Sequence, residues 1–166
     1  MNERDFPKIN LISPVLWFRY FVRFFASFIP PSFLKNFFYR ITGIKIGRNV
    51  FIGESVYFID GFKGGLIDLK DGAVLSPKVV VVAMAVPAES FIGKKYYVTK
   101  TAKVTIGEGS WIGVGAVVLP SVVIGDGSII GANAVVNGPV RSLEMWAGVP
   151  AKYIKKVEDY GLRDKN

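Results

Sequence analysis

The sequence predicts an all-β fold, a parallel β-helix, with a helical segment before it and a short helix after it. Two observations support this prediction. Apolar residues recur every six positions through much of residues 44–140, and small or β-branched residues stand two places before most of them. A six-residue period matches neither an α-helix nor an alternating strand. It suits a three-sided coil in which each side has one short strand and one turn, and in which successive coils stack.

The repeat is clearest in "VTIGEGSWIGVGAVVLPSVVIGDGSIIGANAVV", residues 104–136. One column of apolar residues is predicted to point inward from the three sides: Ile46, Ile52, Phe58, Leu69, Leu75, Val81, Ile106, Ile112, Val118, Ile124, Ile130 and Val136. A second column, two places earlier, is predicted to fill the tight corners: Ile44, Val50, Val56, Ile67, Ala73, Val79, Val104, Ser110, Ala116, Val122, Ser128 and Ala134.

Interruptions of the repeat predict the organisation of the chain. The frame is offset by five residues between Phe58 and Leu69, and it shifts by one residue between Val81 and Ile106. At least part of residues 84–102 must therefore leave the coil as a loop. We expect a helical segment at 1–43, a β-helix at 44–140 with this loop extruded, and a closing segment at 141–166. A short helix is predicted within that segment from about Lys152.

The segment before the repeat is aromatic and basic. Twelve of the 23 aromatic residues of the chain precede residue 40. A helix is predicted from Pro14 to Ile29, with Ser13 as its N-cap, because proline suits the first helical position and serine the cap. Pro30 and Pro31 end it.

Two placements of this helix are compatible with its sequence. It is too short to span a bilayer and contains Arg19 and Arg23. It could pack on the rest of the chain or on a partner subunit. Alternatively, residues 14–40 could lie on a membrane surface, with the two arginines at the level of the lipid phosphates and the aromatic rings beneath.

Composition excludes several classes of site. The chain has no cysteine and no histidine, so it has neither a thiol nucleophile nor the usual general base and metal ligand. We expect no metal site and no Ser-His-Asp hydrolase. Of the net charge of +8, residues 1–45 carry seven basic and two acidic residues, whereas residues 46–140 carry eight and seven. Charge at the ends rather than along the repeat does not indicate nucleic-acid binding.

The repeat and the later segment "WAGVPAKYIKK" resemble the hexapeptide-repeat acyltransferases, in particular the branch of galactoside, maltose and polysaccharide O-acetyltransferases. The resemblance covers roughly residues 44–156, and the leader running into "TGIKIGRNVFIG" is similar to the polysaccharide branch. It implies a left-handed β-helix and a homotrimer that binds acetyl-CoA in a groove between neighbouring β-helices. The expected reaction moves an acetyl group to a hydroxyl or amine of a saccharide, or of a nucleotide- or lipid-linked sugar. A cytoplasmic location, at the inner face of the membrane if the leader binds lipid, is also expected.

The resemblance implies a coenzyme A site that includes five residues: Val114, Ala132, Asn137, Lys152 and Lys155. Val114 and Ala132 would line the path of the pantetheine arm, Asn137 would touch the cosubstrate, and the two lysines would meet its phosphates. Many relatives have a basic residue after the asparagine, where this chain has Gly138. Each position also has a purely structural interpretation, since corners need small residues and lysines often lie on a solvated face.

The catalytic base of the family is missing from this chain. The resemblance places a histidine and a serine where the valine-rich strand enters the loop, and Met84 and Ala85 stand there in "VVAMAVPAES". Methionine cannot move a proton, so the resemblance leaves the catalytic residues unknown.

Three explanations for the missing base stay open. In the first, the protein is a silent relative, or a variant from which the base was removed. In the second, another group replaces histidine, the candidates being Asp60, Glu89, Ser90, Tyr96 and Tyr97, although each also suits a turn, a loop or packing. In the third, the acceptor is an amine, which attacks a thioester in its unprotonated form without a base.

Overall fold

The computed structural model describes residues 13–27, 29, 32–61, 63–87, 90–96 and 100–160. Within them the chain forms three α-helices, α1 (Pro14–Ser27), α2 (Ser32–Ile41) and α3 (Phe91–Lys95), and a final 3₁₀ turn, Val157–Tyr160. The same residues form sixteen strands: β1 Lys45–Ile46, β2 Phe51–Ile52, β3 Tyr57–Ile59, β4 Ile67–Leu69, β5 Val74–Leu75, β6 Val80–Val82, β7 Met84–Ala85, β8 Lys100–Thr101, β9 Val104–Ile106, β10 Trp111–Ile112, β11 Val117–Val118, β12 Val123–Ile124, β13 Ile129–Ile130, β14 Val135–Val136, β15 Glu144–Ala147 and β16 Lys152–Lys156.

The strands stack into the three sides of a coil. Sheet A has the order β1-β4-β9-β12, sheet B the order β16-β15-β13-β10-β5-β2 and sheet C the order β14-β11-β6-β3. Pairing is parallel in all three, except between β15 and β16. Trp111 pairs with Ile129, 18 residues later, which is one turn of the coil. Three repeats of six residues therefore make one coil, as the sequence predicts.

Both predicted columns lie inside the coil. Every member of the corner column is buried, and so is every member of the inward column except Ile46, which is half-buried against the core. The two serines in the corner column are satisfied there, since Ser110 donates to the Gly125 carbonyl at 2.7 Å and Ser128 donates to the Arg141 carbonyl at 2.7 Å. The period in the sequence thus reports the packing of the core.

An excursion leaves the coil between sheet C and sheet A. Val80 pairs with Val117, 37 residues later, instead of the 18 of an uninterrupted coil. The 19 additional residues contain the antiparallel pair of β7 and β8 and the short helix α3. Met84 pairs with Thr101, so the excursion begins and ends close together.

The N-terminal segment forms a hairpin of two helices, α1 and α2, over the first coil. Helix α1 begins at Pro14 as predicted, and the Ser13 carbonyl accepts the first amide bonds. It ends at Ser27, two residues before the predicted end. The second helix was not predicted as a separate element. Its Lys35 Nζ donates to the carbonyls of Ile52 and Gly53, and it therefore covers part of the open strand edge of the first coil.

The opposite end is closed by the antiparallel pair of β15 and β16. The prediction of a helix from about Lys152 was wrong in its starting point, because Lys152–Lys156 is a strand. Strand β15 stacks on β13 and offers a free edge, and β16 pairs with this edge at Ala147 and Lys152. The short helix is the 3₁₀ turn that follows, Val157–Tyr160.

Candidate functional site

The corner between sheets B and C contains two of the predicted coenzyme A positions. Val114 and Ala132 lie in successive turns of this corner, and both side chains are exposed. The turns stack through the backbone, since the Asn133 amide donates to the Val114 carbonyl at 2.8 Å. Gly113 packs so closely on the next turn that an added Cβ atom at Gly113 would lie 2.7 Å from the Ala132 nitrogen. The corner is therefore a straight ridge of small side chains and backbone.

Lys152 continues this ridge at the C-terminal end of the coil. It pairs with Ala147, which precedes the next turn of the same corner, and the Gly148 carbonyl in that turn accepts from the Val135 amide at 3.0 Å. Lys155 lies further along β16, opposite Met145. Asn137 lies at the other end of sheet C, in the corner that leads to sheet A. The structure thus brings together Val114, Ala132 and Lys152 and separates Asn137 from them.

An open groove of about 600 Å³ lies at this same end of the coil. The indole nitrogen of Trp146 donates to a carboxylate oxygen of Glu144 at 2.8 Å. No repeat marks the residues that line this groove, although "WAGVPAKYIKK" contains two of them. They are Pro139, Val140, Arg141, Glu144, Trp146 and Tyr153. An aromatic pair with one arginine and one carboxylate can hold a flat, polar group.

Met84 and Ala85, the residues at the expected position of the base, differ in exposure. Met84 is 5% exposed and Ala85 is exposed. The Met84 sulfur lies against Gly61, so closely that a Cβ atom at Gly61 would collide with it. Met84 is therefore packed into the corner of its own chain at the base of the excursion, and Ala85 points outward.

Of the candidate substitutes for histidine, two are bonded elsewhere, one is exposed on the excursion, and two lie outside the described residues. Asp60 is buried and its two carboxylate oxygens accept from the Arg23 guanidinium at 2.7 and 3.0 Å. Ser90 caps α3, accepting from the Gly93 amide and donating to the Pro87 carbonyl. Tyr96 is exposed at the end of α3, with Lys95 Nζ 5.4 Å from its ring centre. Glu89 and Tyr97 lie outside the described residues.

A further buried carboxylate, Asp68, lies on the outer face of sheet A. One of its oxygens accepts from Lys103 at 2.9 Å and from Lys70 at 3.1 Å. Burial alone would raise the pKa of Asp68, but the hydrogen bonds and charges of Lys103 and Lys70 together hold it below its ordinary value. Asp68 is therefore ionised and paired at neutral pH, which makes it a poor proton acceptor.

Residues 103–138 match the family model described as bacterial transferase hexapeptide (six repeats). A search of curated proteins found no match to the sequence.

Several solved structures have a similar fold. A maltose O-acetyltransferase from Clostridium difficile 630 is 19% identical with a TM-score of 0.67, over 87% of this chain and 89% of that chain. A galactoside acetyltransferase in complex with coenzyme A is 22% identical with a TM-score of 0.61, over 93% and 90%. A variant of AntD, an N-acyltransferase from Bacillus cereus, in complex with dTDP and coenzyme A, is 25% identical with a TM-score of 0.56, over 69% and 73%.

These similarities confirm the predicted resemblance to the hexapeptide-repeat acyltransferases. The fold is the left-handed parallel β-helix expected from that resemblance, and residues 103–138 match the hexapeptide-repeat model of bacterial transferases.

Proposed function

We propose that this protein is a CoA-dependent acyltransferase that moves an acetyl group from acetyl-CoA to a saccharide or to a nucleotide- or lipid-linked sugar precursor. One observation carries the proposal. Val114, Ala132 and Lys152 form a continuous ridge on a fold that similar structures, two of them with coenzyme A bound, share.

The ridge has the chemistry that an extended thioester arm needs. Exposed small side chains at Val114 and Ala132 let a pantetheine chain approach the turn backbone, where peptide groups can bond its amides. The ammonium groups of Lys152 and Lys155 are suited to phosphate oxygens, to which a flexible lysine binds as a point charge. Asn137, at the neighbouring corner, would reach the same ligand only across sheet C, so its part in the proposal is the weakest.

The acceptor is best explained as an amine. The chain has no histidine, and Asp60 and Asp68 are both held in ion pairs. An unprotonated amine can attack the thioester carbon without a general base, and its proton then leaves to water as coenzyme A thiolate departs. The similar structure from Bacillus cereus is an N-acyltransferase. A hydroxyl acceptor would need a proton acceptor that the described residues do not supply at Met84.

We also propose a homotrimer, supported by the outer faces of two sheets. Across sheet B the outward residues are apolar: Phe51, Val74, Trp111, Ile129 and Met145. Across sheet C they are Tyr57, Val80, Val117 and Val135. Two different apolar faces on one chain suit a ring in which each copy contacts the next. Sedimentation should then give three chains of 18.3 kDa.

We place this trimer in the cytoplasm, with residues 14–40 in contact with the inner face of the membrane. The support is the aromatic and basic surface of the helical hairpin. No helix in the described part of the chain is long and apolar enough to cross a bilayer.

Calorimetric titration with acetyl-CoA tests the donor site. The double variant Lys152→Ala/Lys155→Ala should raise Kd at least about tenfold, because each charge-assisted bond contributes roughly 1.5–3 kcal/mol. The matched control is Lys45→Ala/Lys63→Ala, which removes two exposed lysines near the other end of the coil. Equal effects of the two variants, or no binding to the native protein, would contradict the proposed site.

Transfer itself is measured by release of the coenzyme A thiol in the presence of amino sugars and their hydroxyl counterparts. Since the chain has no cysteine, a thiol reagent reports only the product. Acetylation of an amino sugar, at a rate that rises with pH as the amine loses its proton, is the expected result. A preference for the hydroxyl sugars would argue against the amine acceptor.

The missing histidine favours a second candidate, a trimeric binding protein or scaffold without catalysis. The double variant Met84→His/Ala85→Ser distinguishes the two. Transfer that appears only in this variant would identify the present chain as a silent form with an intact donor groove. Transfer by the native chain that the variant leaves unchanged would support the base-independent reaction instead.

A further inference from the structure

The hairpin of α1 and α2 buries polar as well as apolar side chains against the first coil. Three polar side chains of the hairpin, Arg23, Lys35 and Asn36, are buried against the first coil. Lys35 donates to the carbonyls of Ile52, in β2, and of Gly53, which follows it, and Asn36 Nδ2 donates to the Val50 carbonyl at 2.7 Å. Burial lowers the pKa of Lys35, against the opposing influence of Glu54. Ala26 and Tyr39 are buried beside these polar groups, but most of the large apolar side chains of the hairpin face outward, unlike those of a water-exposed helix, which packs its apolar side inward.

The outward side of the hairpin is aromatic. Large apolar residues of α1 and α2 with exposed side chains are Val15, Trp17, Phe18, Tyr20, Phe21, Phe24, Phe25, Phe33, Leu34, Phe37 and Ile41. An exposed apolar surface of this extent on one element marks a contact with lipid or with another protein. The polar contacts beneath it hold the hairpin on the coil, so the surface is a fixed platform rather than a free tether.

Charge distinguishes the two kinds of contact. Helices α1 and α2 contain four basic residues and no aspartate or glutamate. Since Arg23 and Lys35 are buried against the coil, two hairpins docked face to face would bring together the half-buried Arg19 and the exposed Arg40 of each copy, with no carboxylate on either hairpin to offset them. An anionic lipid surface provides phosphate groups for the basic residues of the hairpin and an apolar layer for its aromatic side chains. Helix α1 has 14 residues, a length of about 21 Å, which suits a helix lying in the interface.

We infer that the aromatic side of α1 and α2 seats the protein on an anionic lipid surface, with the axis of the β-helix along the membrane normal. Arg23 does not reach the phosphates, because it is buried in its bonds to Asp60 and Thr42. The inference deepens the membrane contact proposed above. In the proposed trimer, rotational symmetry brings three hairpins to the same end of the assembly. Three weak contacts then act together.

Flotation with phosphatidylcholine vesicles that contain phosphatidylglycerol, compared with vesicles of phosphatidylcholine alone, tests the surface. Phe33→Ser/Phe37→Ser removes side chains that are 75% and 54% exposed, and should lower vesicle binding at least about tenfold. The control Phe91→Ser/Tyr96→Ser removes rings that are 70% and 54% exposed on the excursion, and should bind like the native chain. Phe25→Ser tests α1 independently. Losses of equal size in hairpin and control would overturn the assignment of the surface.

The orientation is tested with brominated lipids, which quench tryptophan at the interface. Trp17 lies on the hairpin, whereas Trp146 lies on β15 at the opposite end. The variant Trp111→Phe/Trp146→Phe, which retains Trp17, should be quenched, and Trp17→Phe/Trp111→Phe, which retains Trp146, should not. The reverse result would overturn the orientation.

Failure of the membrane inference and failure of the proposed acyltransferase function give different experimental results. Acetyl-CoA titration of the same preparation reports the donor site without lipid. Intact coenzyme A binding by a protein that does not float would reject only the membrane surface. A mass of six chains in solution, lost in Phe33→Ser/Phe37→Ser, would identify a second trimer as the occupant instead of lipid.

Discussion

The guanidinium of Arg23 and the carboxylate of Asp60 form an ion pair with 2.7 Å between Nη1 and Oδ1, and their side chains are 9% and 1% exposed. Arg23 also donates to the Thr42 hydroxyl at 2.9 Å. This pair joins helix α1 to the end of β3, so it determines where the hairpin sits on the coil. An ion pair of the same length, Arg48 with Asp71, has side chains that are 88% and 36% exposed.

We expect Arg23→Met to lower the free energy of unfolding by about 3–5 kcal/mol, because the buried carboxylate of Asp60 loses its partner. Arg48→Met, at the same distance but in water, should change the midpoint of urea unfolding very little. Urea unfolding followed by circular dichroism compares the two. Similar midpoints for the two variants would mean that the Arg23 pair does not hold the hairpin. Arg23→Met/Asp60→Asn should recover part of the loss.

A second prediction concerns Gly61 and Met84. Gly61 has a φ of +63°, and an added Cβ would collide with the Met84 sulfur. Gly61→Ala should cost about 1–2 kcal/mol for the left-handed backbone, plus the cost of displacing Met84. In the Met84→Ala background the collision is absent, so the same substitution should cost less. A double-mutant cycle in urea measures the difference. Strict additivity would show that the two residues do not touch.

The third prediction follows from Asp68. Its pKa in the folded protein lies below the ordinary value, so its ion pairs with Lys70 and Lys103 stabilise the protein above about pH 4 and are lost as the pH falls through the lower folded value. Asp68→Asn should therefore lower the thermal midpoint at pH 7. The difference from the native chain should shrink towards pH 3. Thermal unfolding between pH 3 and pH 7 tests this expectation, with Glu108→Gln, at an exposed turn, as the control. A difference that does not depend on pH would show that the carboxylate charge is not responsible.

The sequence was sufficient to predict the coil because the repeat is local. Ile106, Ile112 and Val118 occupy equivalent positions on three sides, and each must be apolar for the same reason. The excursion could be located too, since the column changes frame between Val81 and Ile106. The left hand of the coil came only from the resemblance, because parallel connections are usually right-handed.

The candidate site was predicted less completely. Lys152 follows the repeat at a spacing that the resemblance recognises, but its strand conformation depends on the free edge of β15, which exists only in the folded coil. Arg141 and Tyr153 line the groove with no period that would mark them. Separate residues that meet at the end of a solenoid leave no pattern in the sequence.

By itself, the sequence determined the β-helix, its interruption, and the absence of a histidine base from any site on this chain. The tertiary structure decided the role of Arg23, which the sequence placed among the aromatic residues of a surface helix and the fold pairs with Asp60, 37 residues later. It also decided that the hairpin buries Arg23, Lys35 and Asn36 and exposes most of its aromatic rings. A periodic core repeats one local rule and can be recognised from its sequence. A buried ion pair joins two distant segments, and its partners become neighbours only when the whole coil has formed.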